Sequence, residues 1–178
     1  FFGLNPSPTS LFVNNNGNVT FGSSSSTFTP SGLVAGNQTP RIAAFFADVD
    51  TRGALSNEVT YGTGTIDGHR AFGVNWPGVG YFSQKTDKLN FFQLVLIERL
   101  DTTVAGDFDI ELNYEQIQWE TGNSVGLGGR SARVGFTKGT GDSGTSFELA
   151  GSGVNGALLD SNSTSGLVHN SLNYSVPG

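Results

Sequence analysis

The sequence predicts an all-β fold, a β-sandwich of mainly antiparallel strands with long Gly/Ser-rich loops and almost no helix. Gly supplies 26 of the 178 residues and Phe 14, while charged residues reach only 13%. That balance suits short strands joined by tight turns and leaves little material for charged amphipathic helices. Stretches such as Gly106–Tyr114 and Gln116–Glu120 alternate polar and apolar residues with the period of a pleated strand. Strand-like runs recur at short spacing, some nine in all, separated by Asn-Gly, Pro-Gly and Ser/Thr-rich punctuation. Residues 1–178 are expected to form a single domain, since a chain of this size buries roughly 70% of its unfolded surface.

Taken in order, Leu11-Phe12-Val13, the turn Asn14–Gly17 and the run Asn18–Gly22 predict a hairpin, with Asn-Gly supplying the positive φ angles of a type I′ turn. From Ser23 to Thr39 periodicity vanishes and Ser, Thr, Gly and Pro dominate, which predicts a long surface loop. Arg41 to Val49 reads as one strand, mostly apolar on both faces. Glu58–Gly62 and Gly64–Ile66 read as a strand with a Gly bulge, and a further strand from His69 is expected to be cut after Trp76 by Pro77-Gly78. Phe91–Arg99, dense in β-branched and aromatic residues, belongs mid-sheet.

Along Gly106–Tyr114 the alternation points Phe108, Ile110, Leu112 and Tyr114 inward and the carboxylates outward. Gln116–Glu120 continues it with Ile117 and Trp119 on one face. Ala132–Phe136 and Ser146–Leu149 are two short strands divided by the Gly-rich loop Lys138–Gly144, and Gly156–Asp160 is the one segment expected to make a helical turn.

Composition also excludes classes of function. A net charge of −6 and a pI near 4.7 argue against a nucleic-acid backbone or an anionic membrane surface as partner. No apolar run approaches the roughly 20 residues of a membrane-spanning helix, so direct membrane insertion is not expected. The first residues lack the basic and apolar regions of a signal peptide, and the chain reads as mature. With no Cys there is neither a disulfide framework nor a Cys-based zinc site, and His69 and His169 are too far apart to read as a metal pair. Asn-x-Ser/Thr sequons at Asn18, Asn37, Asn162 and Asn173 are candidate glycosylation sites and agree with an extracellular location.

The stretch Ala43–Gly53 joins a buried-strand signal to a cluster of charged and turn-forming residues. Two carboxylates two residues apart, Asp48 and Asp50, repel unless something cationic sits between them. Arg52 is one such group; a bound Ca²⁺, which takes carboxylate and carbonyl oxygens, is the other, with Asp48 and Asp50 as candidate metal ligands. A catalytic use of the pair would need one pKa raised, the other kept low, and a cleft. Gly-x-Ser-x-Gly and the phosphate-binding Gly-x-x-x-x-Gly-Lys-Ser/Thr are both absent, so no enzyme is expected. Trp76 beside Pro77-Gly78, with Tyr81, is the candidate sugar-stacking pair of a carbohydrate-binding module, whereas Trp119 reads as core.

Laid out along the chain, these segments resemble the nidogen-type extracellular domain. Phe12–Phe21 is similar to its opening hairpin and Ala44–Gly53 to its most diagnostic segment. Trp76–Phe82 and Asn90–Leu96 resemble the paired strands that follow, Asn113–Gly122 its Asn-Tyr…Ile-Gln-Trp-Thr-Thr-Gly stretch with Glu120 in place of a common Thr, and Ala132–Phe136 its Ala-x-x-Gly-Phe. The resemblance implies an extracellular adhesion or matrix module without enzymatic role, which contacts other extracellular proteins or copies of itself through sheet edges and loops. Members of that family commonly have a strand before the equivalent of Phe1-Phe2-Gly3 and another after that of Val176-Pro177-Gly178. The expectation is therefore a domain short of edge strands at one or both ends, with a neighbouring chain supplying them by strand donation.

Overall fold

The computed structural model describes residues 11–102, 106–122 and 130–171. Two packed sheets of mainly antiparallel strands form the sandwich predicted from the sequence. The first sheet runs in the order β1 (Leu11–Asn14), β2 (Asn18–Phe21), β3 (Arg41–Phe46), β9 (Arg133–Thr137) and β10 (Ser146–Glu148). The second runs β4 (Val49–Asp50), β6 (His69–Tyr81), β7 (Lys85–Glu98) and β8 (Phe108–Ile117), with β5 (Thr60–Ile66) also paired to β6. β7 lies between β6 and β8, so the strand expected at Phe91–Arg99 is mid-sheet and ends at Glu98, one residue earlier.

Alternation decides which side chains meet between the sheets. Phe108, Ile110, Leu112 and Tyr114 pack on the core from β8, and Ile42, Ala44, Val134 and Phe136 come from the facing sheet. The aromatic centre is dense. Trp76 stacks on Phe92 at 4.8 Å, Phe45 meets Trp119 edge-on at 5.6 Å, and Tyr81 lies against Trp119 at 5.5 Å. The outward side of β3 is also covered, because the loop at 22–40 lays Leu33 over Ala43 and Phe46, with the Arg41 guanidinium 4.5 Å from the Phe46 ring centre. That second cover is why all of β3 is apolar apart from Arg41, while β8 alternates.

Several boundaries differ from the sequence reading. The first hairpin turns through the three residues Asn15-Asn16-Gly17, with only Gly17 at positive φ (73°), so it is not a type I′ turn. Gly17 is required by proximity as well as dihedral, since a Cβ there would lie 1.8 Å from the Phe45 carbonyl oxygen.

The expected strand from Arg41 to Val49 is two strands of different sheets. The chain bends at Ala47-Asp48, where the Val49 N–H donates to the Ala47 carbonyl at 2.9 Å and the Asp48 carbonyl accepts from Phe82 N–H at 3.2 Å. β5 has no bulge, pairing in unbroken register from Thr60↔Asn75 to Ile66↔His69 around an Asp67-Gly68 turn with φ of 50° and 83°. β6 is not cut at Pro77-Gly78 but passes through them with register shifts that absorb the missing N–H. The 3₁₀ turn falls at Leu167–His169, and Gly156–Asp160 is a chain of turns without helix.

Candidate functional site

Where the chain crosses from one sheet to the other, the bend at Ala47-Asp48 opens beside the first hairpin loop. An open hollow of about 330 Å³ lies there, lined among others by Asn15, Asn16, Phe28, Asp48, Asp50 and Phe82. The hairpin loop is tied to this corner by its asparagines. Asn15 Nδ2 donates to the Val49 carbonyl at 2.8 Å, and the Asn15 carbonyl accepts from Trp76 Nε1 at 3.0 Å. Asn16 Nδ2 donates to the Thr27 carbonyl at 3.1 Å, which joins the loop at 22–40 to the same corner. Asn16 is 8% exposed and its Oδ1 is a buried acceptor without a partner.

The two aspartates take opposite roles. Asp50 is buried and accepts four N–H bonds: Oδ1 from Arg52 Nε (2.8 Å) and backbone N (3.1 Å), Oδ2 from Arg52 Nη2 (2.6 Å) and Gln84 N (2.9 Å). The Arg52 side-chain bonds, with help from the Gln84 and Arg52 amides, hold the Asp50 carboxyl down to about 2 against the opposing effect of burial. Asp48 is half-buried against Gly122, where an added Cβ would lie 2.0 Å from Asp48 Cβ. Burial first, then the charge of Asp50, push the Asp48 carboxyl up to about 6, with Arg52 pulling the other way.

This arrangement limits the chemistry. Arg52 is the cation that the Asp48/Asp50 spacing calls for, and it neutralises Asp50. Among the described residues no three or more His, Cys, Asp or Glu side chains gather as metal ligands. The split in pKa that a catalytic pair needs is present, yet both Asp50 oxygens are already engaged, so Asp50 cannot take a proton from a substrate or a water. Asp48 holds its proton below about pH 6, and among the described residues no free base lines the hollow beside it.

The sugar-stacking expectation is corrected. Trp76 is 0% and Tyr81 1% exposed, so neither ring offers a face to a carbohydrate. Trp76 is stacked inside the sandwich, and Tyr81 donates its hydroxyl to Asp87 Oδ1 at 3.0 Å, with burial pushing that hydroxyl up to about 12. Pro77-Gly78 mark bulges within β6 and do not bring Trp76 to the surface. Trp119 is core, as expected.

The sequons also separate. Asn18 is corrected as a glycosylation candidate, being wholly buried with its Nδ2 donating to the Asn16 carbonyl at 2.9 Å. Asn37 is exposed at φ 58°. Asn162 is half-buried in a turn, its Oδ1 accepting from Thr164 and Ser165 N–H at 3.1 Å each. Asn173 and the two chain ends to which strand donation was assigned lie outside the described residues.

Glu120 is the functional-looking residue that sequence reasoning missed. It is 1% exposed, and its carboxylate accepts from Ser131 Oγ at 3.2 Å, from Gly156 N at 2.6 Å and from Leu158 N. The acid thus anchors the loop at 151–160 under the sandwich. Its only signal in the sequence is an acid beside Trp119, at a place where the resembled family carries Thr.

The family model described as a nidogen-like domain matches this chain over residues 9–68 and 55–178. Chicken alpha-tectorin is 31% identical over 72% of the chain, and mouse alpha-tectorin 31% over 78%. Nidogen of Drosophila melanogaster is 28% identical over 94% of it. The chain spans 7% of the length of each tectorin and 13% of that nidogen. No solved structure gives a significant match.

Proposed function

Because this chain belongs to the nidogen-like domain family, we propose that it serves as an extracellular matrix module that binds proteins, either other matrix proteins or copies of itself. Its sheet edges and long loops make the contacts, and it does not turn over a substrate. The observation that carries this reading is the state of the acid pair at the sheet crossing. In the open hollow at that crossing Asp50 sits under a four-donor clamp, so the most reactive-looking corner is built as a fixed turn. Relatives that are matrix proteins support the location.

The test is saturable binding of the purified chain to a panel of purified matrix proteins and to itself, measured by biolayer interferometry beside a glycan array. Binding to protein with a silent array is expected. Binding confined to glycans, or no binding to any protein including itself, would overturn the reading.

A further inference from the structure

We propose that the outer edge of β5 is a pairing edge for a second copy of this chain, joined antiparallel about a two-fold axis through Thr63. This rests on reading the chain as a protein-contact module and names the contact. β5 pairs with β6 on one side, and among the described residues no backbone bond reaches its other side. The Asp67-Gly68 turn closes on Ile66↔His69, which makes that pair and every second pair before it hydrogen-bonded within the hairpin. The N–H and C=O groups of Tyr61, Thr63 and Thr65 therefore point outward. Every residue of Thr60–Thr65 is exposed, and Tyr61 is 68% exposed.

The other edges are ill suited to such pairing. β10 has three residues and β1 four. β8 is long, but its outward face carries Asp109, Glu111 and Glu115. A two-fold copy centred on Leu112 would set Asp109 opposite Glu115, which is unfavourable for like charges. Its far end is also occupied, since Ile117 N–H donates to Asp160 and the Ile117 carbonyl accepts from Asp160 N–H. β5 has none of the devices that blunt an edge: no charge, no proline and no bulge between Thr60 and Ile66.

Its sequence is also complementary to itself. About Thr63, Tyr61 falls opposite Thr65 of the second copy, Gly62 opposite Gly64, and Thr60 opposite Ile66. No like charges meet, the glycines remove steric obstruction on one face, and the Tyr61 ring lies over a threonine methyl on the other. All three outward residues become hydrogen-bonded pairs, which gives about six new N–H···O bonds. Tyr61, Thr63 and Thr65 share their face with Val74, Phe72 and Arg70, the last paired to Glu98, with Tyr61 already 6.2 Å from the Phe72 ring. Pairing thus lengthens the apolar part of this face, Tyr61, Phe72 and Val74, which is continuous with the core. With −6 on each copy, association should strengthen with salt.

The chain has no cysteine, so single thiols report the register. In the proposed pairing the two Thr63 Cα atoms lie about 5.5 Å apart, within disulfide range. Copies of Tyr61 lie four residues apart along the edge, about 13 Å and out of range. Under mild oxidation Thr63→Cys is expected to cross-link to a dimer. Tyr61→Cys and Thr65→Cys should each form no covalent dimer alone and cross-link when mixed.

Thr63→Pro, which removes an outward N–H without touching the β5–β6 bonds, should weaken dimerisation of the thiol-free chain at least tenfold in sedimentation equilibrium, with an unchanged circular dichroism spectrum. A parent chain monomeric into the millimolar range, or Cys variants that link in another pattern, overturns the proposal. In that event, saturable binding to another matrix protein leaves the broader reading standing, and its absence removes both.

Discussion

Asp48→Asn should stabilise this protein at neutral pH and have no such effect in mild acid. In the folded chain burial and the Asp50 charge raise the Asp48 carboxyl from 3.8 to about 6. A carboxyl whose folded pKa lies above its unfolded one binds its proton more tightly when folded. Stability is therefore highest below the unfolded value, falls as pH rises from about 4 to about 6, and stays reduced above. A shift of about two units is worth at most about 3 kcal/mol, and because Asp48 is half-exposed, solvent screening brings this to about 1–2 kcal/mol.

Asn keeps the volume that packs on Gly122 and removes the charge. Urea denaturation of both chains from pH 4 to pH 8 should show the variant more stable by about 1–2 kcal/mol at pH 7, or about 3–6 °C in Tm. The gap should close toward pH 4. A gain independent of pH, or a loss at pH 7, would refute the electrostatic account of this corner. Asp50 has the opposite sign, since its carboxyl is held at about 2 and its contribution fades only as pH falls from about 4 toward that value.

Replacing Glu120 by Gln leaves one acceptor oxygen and puts an amide NH₂ against the N–H of either Gly156 or Leu158; chemical denaturation should show a loss of about 2–4 kcal/mol, and limited proteolysis new cleavage within residues 151–160. Secretion from a glycosylating host should leave a glycan on exposed Asn37, read as a mass shift lost in Asn37→Gln, and none on buried Asn18. With Arg52 already paired to Asp50, millimolar Ca²⁺ added after chelation should move Tm by less than about 1 °C. A rise of several degrees, abolished by Asp48→Asn, would instead make Asp48 a ligand.

Local signals in the sequence were enough to determine the β-sandwich, the central place of the strand read as Phe91–Arg99, the inward set Phe108, Ile110, Leu112 and Tyr114, and the loop at 23–39. Pleat period and turn chemistry act over a few residues, so a linear reading captures them. The pairing of Asp50 with Arg52 was legible for the same reason, being a contact between residues two apart. What the sequence could not decide were facts of three-dimensional neighbourhood. Trp76 looks exposed beside Pro77-Gly78 but is buried, because β6 continues through a bulge and carries it under Phe92.

Likewise the strand written from Arg41 to Val49 is divided because Phe82 N–H and the hairpin loop claim the backbone at Ala47-Asp48. Glu120 acquires its partners from residues 36 and 38 positions away. Asn18, a sequon on paper, is closed off by its own hairpin and by β3. Solvent exposure and long-range hydrogen bonding are properties of packed sheets, and only the tertiary structure assigns them.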